Sequence, residues 1–422
     1  MKKQKKVIKQ VNEKIFVQIA AYRDPELLPT LRNMLTMAKN PNNLTICIAW
    51  QHSKEDIWDT LDEFKNDSRF IILDIPHKES KGTCWARYQI QQQWKNEAYT
   101  LQLDSHHRFE KDWDATLIKM VKDLQAAGHK KPLLTAYVSS YEPKNDPAGR
   151  ARDPWWLTFD RFTPQGAVFF IPSVVPDWQN RTLPYPSRFY SAHFGFTLGQ
   201  FCKEVPHDPN YLFHGEEISI AARAYTWGYD LFSPHTPVVY HEYTREHRPR
   251  KSWDDLADWY KWDVDSLARN RRLLNIDGER DPNENFGKFG FGTQRTLEQY
   301  EQYAGIKFET RAVQQYTLDH KEAPNPYPDD EYLRVFKHCI DIPHQLVPFN
   351  DYDLWAVAFE DADGKELVRV DAFENEINAM KNDSDGYCKL WRIFHTSAQP
   401  KRWIVWPHSR EHGWTERLTG EL

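Results

Sequence analysis

Regular alternation of apolar and polar positions begins at Ile15, where Ile15-Phe16-Val17-Gln18-Ile19-Ala20 reads as a buried strand. Asp24-Pro25-Glu26 predicts a helix start, with an acid at the cap and proline at the first helical position. Leu27, Leu28, Leu31, Met34 and Leu35 supply the apolar stripe of that helix. A second strand is expected over 44–50, a helix over 57–64, a third strand over 70–75 and another helix over 85–94. The next apolar run, Leu101-Gln102-Leu103, stops abruptly on Asp104-Ser105-His106-His107. Strands alternating with helices predict an α/β fold, a mostly parallel central sheet with helices on both faces. The carboxyl ends of strands form the ligand crevice of such a sheet, so Asp104 falls where a ligand belongs.

Further along, residues 143–187 are rich in proline, arginine and aromatics and weak in periodicity, and long loops over the carboxyl edge of the sheet are expected there. Phe213-His214-Gly215-Glu216-Glu217 leads into Ile218, Ala221, Ala222 and Tyr225, whose spacing sets both acids in the first turn of a helix. Short strands follow over 229–232 and 238–240, the second ending on His241. Helical spacing returns from Trp253 to Leu274 through Leu256, Tyr260, Val264 and Leu267. Phe286 to Gly292 alternates Gly and Phe as a flexible flap with apolar anchors, and a helix is expected over 296–303. After a linker at 324–330, strands are expected over 354–359, 366–370, 389–395 and 403–406, with a hairpin connection at Asp361-Ala362-Asp363-Gly364. The expected division is an α/β catalytic domain over 14–245, a helical extension with the flap over 246–330, and a β-rich domain over 345–422.

Composition narrows the function. A length of 422 residues suits two or three units, and a formal charge of -6 argues against electrostatic binding to nucleic acid. The five cysteines are odd in number, widely spaced and free of CxxC, which indicates neither a disulfide framework nor a zinc cluster. A reducing, cytoplasmic setting is the simpler expectation. The basic start, Met1 to Lys9, is not followed by the apolar block of a signal peptide, and no run reaches the roughly 20 apolar residues of a membrane span.

The chemistry centres on Asp104 and His106, which a single turn can aim at one divalent cation. An Asp and His pair suits Mn2+ somewhat better than Mg2+. The same residues also read as a polar turn closing an ordinary strand. With no GxGxxG or Walker loop, a bound diphosphate needs a metal to neutralise it. His241 ends a second strand as a further ligand or as a hydrogen-bonded structural histidine. Glu216 and Glu217 are the best carboxylates for acid–base work, and equally read as acids serving the helix dipole.

These pieces, together with Ala20 to Leu27, Gly82 with Trp85-Ala86-Arg87, Glu204 to Pro209 and Gly292 to Leu297, occur in an order that resembles the GlcNAc-transferase family related to the cytoplasmic enzymes that modify hydroxyproline on Skp1. A more distant similarity is to the polypeptide GalNAc-transferases. The resemblance spans about residues 14–305. It implies a GT-A fold, a UDP-sugar donor, a divalent cation, and a retaining transfer to a hydroxyl of a protein, peptide or glycan. It further implies that Asp104, His106 and His241 hold the metal, that Arg87 and Gly82 lie near the nucleotide, and that Arg23 and Asp24 lie near the uridine. The Gly-Phe flap itself reads either as a lid that closes over a bound donor and excludes water or as an uneventful loop. His107 departs from the pattern, which usually carries an apolar residue there. Two other readings stay open: another UDP-hexose donor, and a carbohydrate- or peptide-binding protein without turnover.

Overall fold

The computed structural model describes residues 13–244, 251–328, 332–381 and 386–422. The basic start at 1–9 and the end of the expected linker at 329–330 lie outside the described residues. The chain forms two compact units, one of residues 1–304 with 316–327 and the other of residues 305–315 with 328–422.

The first unit is built on an eight-stranded sheet. Its strands and helices, with the small pairs that flank the sheet, are β1 (Ile15–Tyr22), α1 (Leu27–Met37), β2 (Leu44–His52), β3 (Phe70–Pro76), α2 (Thr83–Gln91), β4 (Tyr99–Leu103), β5 (His107–Phe109), α3 (Trp113–Ala126), β6 (Pro132–Thr135), β7 (Trp155–Phe162), β8 (Val168–Val174), β9 (Tyr185–Pro186), β10 (Phe194–Leu198), α4 (Phe201–Glu204), α5 (Glu216–Thr226), β11 (Asp230–Ser233), β12 (Val239–His241), α6 (Ser252–Asp255), α7 (Trp259–Leu274) and α8 (Leu297–Ala304). The sheet order is β3-β2-β1-β4-β10-β6-β11-β9. Strands β1 to β4 run parallel, β6 and β11 share their direction, and β10 runs antiparallel between β4 and β6.

Alternation along β1 explains the two layers. Ile15, Val17 and Ile19 face a core shared with Leu31 and Met34 of α1 and with Trp113, Leu117 and Val121 of α3. Phe16 faces the opposite core with Ala86 and Ile90 of α2. Helices therefore cover both faces, as the alternation of the sequence predicts. Gln18, the polar residue of the strand, is buried but donates to Thr100 Oγ1 at 2.7 Å, which removes the cost of an unpaired amide nitrogen.

Several expectations need correction. Residues 57–64 contain only a 3-10 turn at Asp62–Phe64, and Ile57 is 90% exposed. The neighbouring polar side chains are engaged elsewhere, Asp56 with Arg23 and Asp59 with Trp50 Nε1. Residues 143–187 are not all loop, because β7 and β8 pair as a hairpin whose alternation is interrupted by a bulge between Phe159 and Arg161. The first helix starts at Leu27 rather than at Pro25, since Asp24 closes a turn ahead of it: Leu27 N–H donates to Asp24 O and Glu26 N–H to Asp24 Oδ1. In α7, Leu267 and Leu274 are buried while Tyr260 and Val264 are exposed.

The flap is docked at the carboxyl end of α5. Thr226 O accepts from Gln294 and Arg295, and Thr226 Oγ1 accepts from Gly292. That end lies about 16 Å, the length of eleven helical residues, from Glu216. The flap therefore braces this helix in the described structure, away from the acids at its start.

The second unit is β-rich. Strands Leu333–Pro343 and Tyr387–Thr396 pair antiparallel, and Tyr352–Glu360 pairs with Glu366–Arg369 and Arg402–Ser409. The expected hairpin at 361–364 joins two of them. Trp355, Val357, Phe359, Ile377, Leu390 and Val405 fill its core.

Gly82, ahead of α2, has φ +95°, and a Cβ there would lie 2.7 Å from Leu212 Cδ1 and 2.8 Å from Leu212 O. Both a backbone region reserved for glycine and a backbone contact oppose a side chain. Gly82→Ala is expected to lower stability by about 1–3 kcal/mol, measured as a reduced urea midpoint with an unchanged slope.

Candidate active site

Topology gathers the site at one edge of the sheet. Asp104 and His106 follow the carboxyl end of β4, and Asp24 follows that of β1. Strand β10 runs the other way, so Ala192 and His193 precede it at the same edge. The β5–β12 pair sets His241 opposite His107.

Single donor atoms of Asp104, His106 and His241 lie within 4.8 Å of one another. His106 Nε2 and His241 Nε2 are 2.9 Å apart, and Asp104 Oδ2 is 3.7 and 3.6 Å from them. His106 Nδ1 is 2.8 Å from Asp24 Oδ2, so it carries the proton and leaves Nε2 as a lone pair aimed at the cluster. A carboxylate behind a metal-ligating histidine is a common device for fixing the tautomer. Burial, aided by His193 and His106, holds the His241 pKa well below its ordinary value. Burial opposes ionisation of Asp104, yet His241, Arg87 and His106 together hold its carboxyl well below the usual range. One carboxylate and two imidazoles converging in this way fit a divalent cation.

Arg87 lies behind this cluster and is buried. Its Nη2 donates to Asp104 Oδ1 at 2.6 Å, and Nη1 reaches Glu216 Oε1 and Oε2 at 2.6 and 2.8 Å. Burial works against its charge, but Glu216 and Asp104 outweigh it and keep the guanidinium protonated. Glu216 is thus committed to Arg87 and is 3% exposed. Glu217 points elsewhere: Oε2 accepts from Tyr137 Oη and Oε1 from Ala192 N–H, each at 2.8 Å. Burial pushes its carboxyl up to about 7.

A cavity of about 360 Å³ opens beside these groups, with Asp104, His241, Glu217, Tyr137, His193 and Phe213 in its walls. A smaller one of about 80 Å³ shares Asp104 and Phe213 and runs toward Tyr22, Asp24 and Trp253. Asp104 stands between the two spaces. Asp24 borders the smaller space while its carboxylate supports His106 and accepts from Ser105 Oγ at 2.5 Å. Arg23 lines neither cavity. Its guanidinium is engaged with Asp56 at 2.6 and 3.0 Å and with Asp255 at 3.1 Å. Gly82 lines neither cavity and serves the close approach to Leu212.

Sequence reasoning missed Tyr137 and His193, because only the insertion of β10 brings them to Glu217 and His241. The His193 ring stacks on His241 with centroids 4.1 Å apart and planes 16° from parallel. His107, whose departure from the family pattern was visible, is fully buried, with Nδ1 3.1 Å from Asp104 O.

The family model for the glycosyltransferase (GlcNAc) family matches residues 14–69 and 60–310. That is more than half of the chain, and the chain belongs to this family. Its mainly parallel α/β sheet is of the GT-A type. No curated protein matches the chain in sequence. Among solved structures it is similar to GalNAc-T7 with UDP, GalNAc and Mn2+, at 12% identity over 97% of this chain and 79% of that one, with a TM-score of 0.48. It is also similar to S. aureus TarS, at 10% identity over 97% and 77% of the two chains with a TM-score of 0.36. A third similarity is to S. aureus TarS 1-349 in complex with UDP-GlcNAc, at 14% identity over 61% and 66% with a TM-score of 0.35.

Glu217 makes stability depend on pH with a definite sign. Its folded pKa of about 7 stands above the ordinary 4.5, so the stability of the protonated form is full below pH 4.5 and is lost as pH rises through 7. The loss is about 3 kcal/mol. Glu217→Gln, which does not ionise, is expected to gain about that much relative to the parent chain between roughly pH 4 and pH 8 in urea unfolding. A pH-independent difference would contradict it.

Proposed function

We propose that this glycosyltransferase moves GlcNAc from UDP-GlcNAc to a hydroxyl of a protein, peptide or glycan, with a divalent cation, Mn2+ in the first instance, and with retention at the anomeric carbon. The observation that carries the proposal is the convergence of Asp104, His106 and His241 at the strand edge, beside a cavity, in a chain of this family. Asp104, His106 and His241 would hold the cation. When bound, it supplies positive charge to a departing diphosphate.

The residues of the chain do the rest. Arg87 fixes Asp104 and stays charged beside it, so that the carboxylate keeps its orientation. The smaller space toward Tyr22 and Trp253 takes the nucleotide, and the larger one takes the sugar and the acceptor hydroxyl, since both meet at Asp104. Glu217 is held by Tyr137 and the Ala192 amide with a pKa near neutrality, suited to donate or accept a hydrogen bond with a sugar or acceptor hydroxyl. Phe169, Phe170 and Phe213 line the same cavity and exclude water from it, which limits hydrolysis of the donor. Front-face attack is the preferred course, with leaving-group oxygen taking the acceptor proton. All five cysteines are free thiols, and among the described residues no helix is long and apolar enough to cross a membrane.

UDP release from a panel of UDP-sugars, with Mn2+ or with EDTA, tests the proposal. Release from UDP-GlcNAc that needs Mn2+ and falls at least about 100-fold in Asp104→Ala is expected. Turnover of a different UDP-hexose would replace the donor, and UDP binding without any turnover, acceptors included, would favour the binding protein. In the same assay Glu217→Gln is expected to lower turnover about 10- to 100-fold with little change in UDP affinity. Equal turnover would confine Glu217 to a structural part.

A further inference from the structure

A second set of ligating atoms is buried on the far side of Arg87. Cys84 of α2, His207 in the loop after α4, and Glu216 at the start of α5 each contribute one donor atom, all within 4.8 Å of one another. The state of His207 follows from its other neighbour. Gln102 Nε2 donates to the Ala192 carbonyl at 2.6 Å, and a carbonyl only accepts. The amide oxygen of Gln102 is therefore the atom in short contact with His207 Nε2, and Nε2 must carry the ring proton. In the neutral ring Nδ1 is then a bare lone pair. It is fully buried and has no hydrogen-bond partner among the described residues. Glu216 Oε1 lies 2.7 Å away but out of line for a hydrogen bond. The imidazole nitrogen and the carboxylate thus meet without an aligned hydrogen bond between them.

We propose that Cys84, His207 and Glu216 bind a second metal ion of the Zn2+ type, distinct from the cation of the strand edge. A thiolate with an imidazole and a carboxylate is a donor set for late first-row ions, while Asp104 with two histidines has no thiolate and also suits Mn2+. Binding replaces the Cys84 thiol proton by the metal: the S–H bond breaks, a metal–sulfur bond forms and one proton leaves to solvent. The ion, one thiolate and one carboxylate sum to zero charge. Exchange of one proton for a divalent ion adds one positive charge, which offsets the net negative charge of Arg87 with Glu216 and Asp104. Through Glu216 and Arg87 the second ion would steady the carboxylate that faces the cation site.

Co2+ reports this site without any assay of activity, because a thiolate ligand gives a near-ultraviolet charge-transfer absorbance that an Asp-His-His set lacks. Metal-stripped full-length chain titrated with Co2+ is expected to show that absorbance, saturating at one equivalent, and to release one proton for it. Cys84→Ser and His207→Gln should abolish it, and Asp104→Ala should retain it. No absorbance in the parent chain, absorbance that survives Cys84→Ser, or absorbance lost with Asp104→Ala would each overturn the proposal. Should the Cys84 or His207 variant fail to fold, bound metal in the parent chain decides the matter. After dialysis with Zn2+ and excess Mn2+, one retained Zn2+ that a thiol reagent displaces supports it, and none overturns it.

Discussion

The buried guanidinium of Arg87 is the contact on which this site depends. It lies between Asp104 and Glu216, and removing the guanidinium would leave two buried carboxylates without their shared partner, a cost of about 3–5 kcal/mol. One cation between two carboxylates leaves a net negative charge, and the geometry directs it outward through Asp104 to the strand edge. Glu216 and Asp104 come from different elements, a helix start and a strand end. Their common partner is what sets the distance between α5 and β4.

The same contact divides labour between adjacent acids. Glu216 is turned inward and held ionised by Arg87, against the effect of burial. Glu217, one residue on, faces the cavity and accepts only neutral donors, so burial prevails and its pKa rises. A helix turns about 100° per residue, which is enough to send neighbouring carboxylates into opposite environments.

Much of this was legible in the chain, and the remainder was hidden for physical reasons. Strand alternation and the abrupt polarity change after Leu103 marked the sheet edge where Asp104, His106 and His241 gather, and His241 stood out because it too ends a strand. Asp24 was placed at the correct strand end, but its hydrogen bond to a histidine 82 positions away is a tertiary fact that local pattern cannot carry. Tyr137 and His193 were invisible for the same reason. Residues 57–64 have helical composition, yet Asp56 and Asp59 form tertiary bonds that a helix would break. Helix α3 shows helical spacing plainly in Trp113, Leu117, Val121 and Leu124, and its apolar face was open to the same reading. The buried set of Cys84, His207 and Glu216 has no sequence signature, since its ligands lie far apart and lack the short spacing of zinc motifs.

The place of β10 has a consequence for how the molecule matures. This strand occupies the middle of the sheet, yet it pairs Phe194 with Leu103, from which it is separated by about ninety residues of chain. Closing so long a loop is entropically slow compared with joining β1, β2 and β4. An early intermediate can therefore hold the first four strands and still lack the support of Ala192, His193 and the β5–β12 pair. The grouping of Asp104, His106 and His241 with the residues that back them is therefore completed only when the central gap is filled, which makes the site a late product of folding.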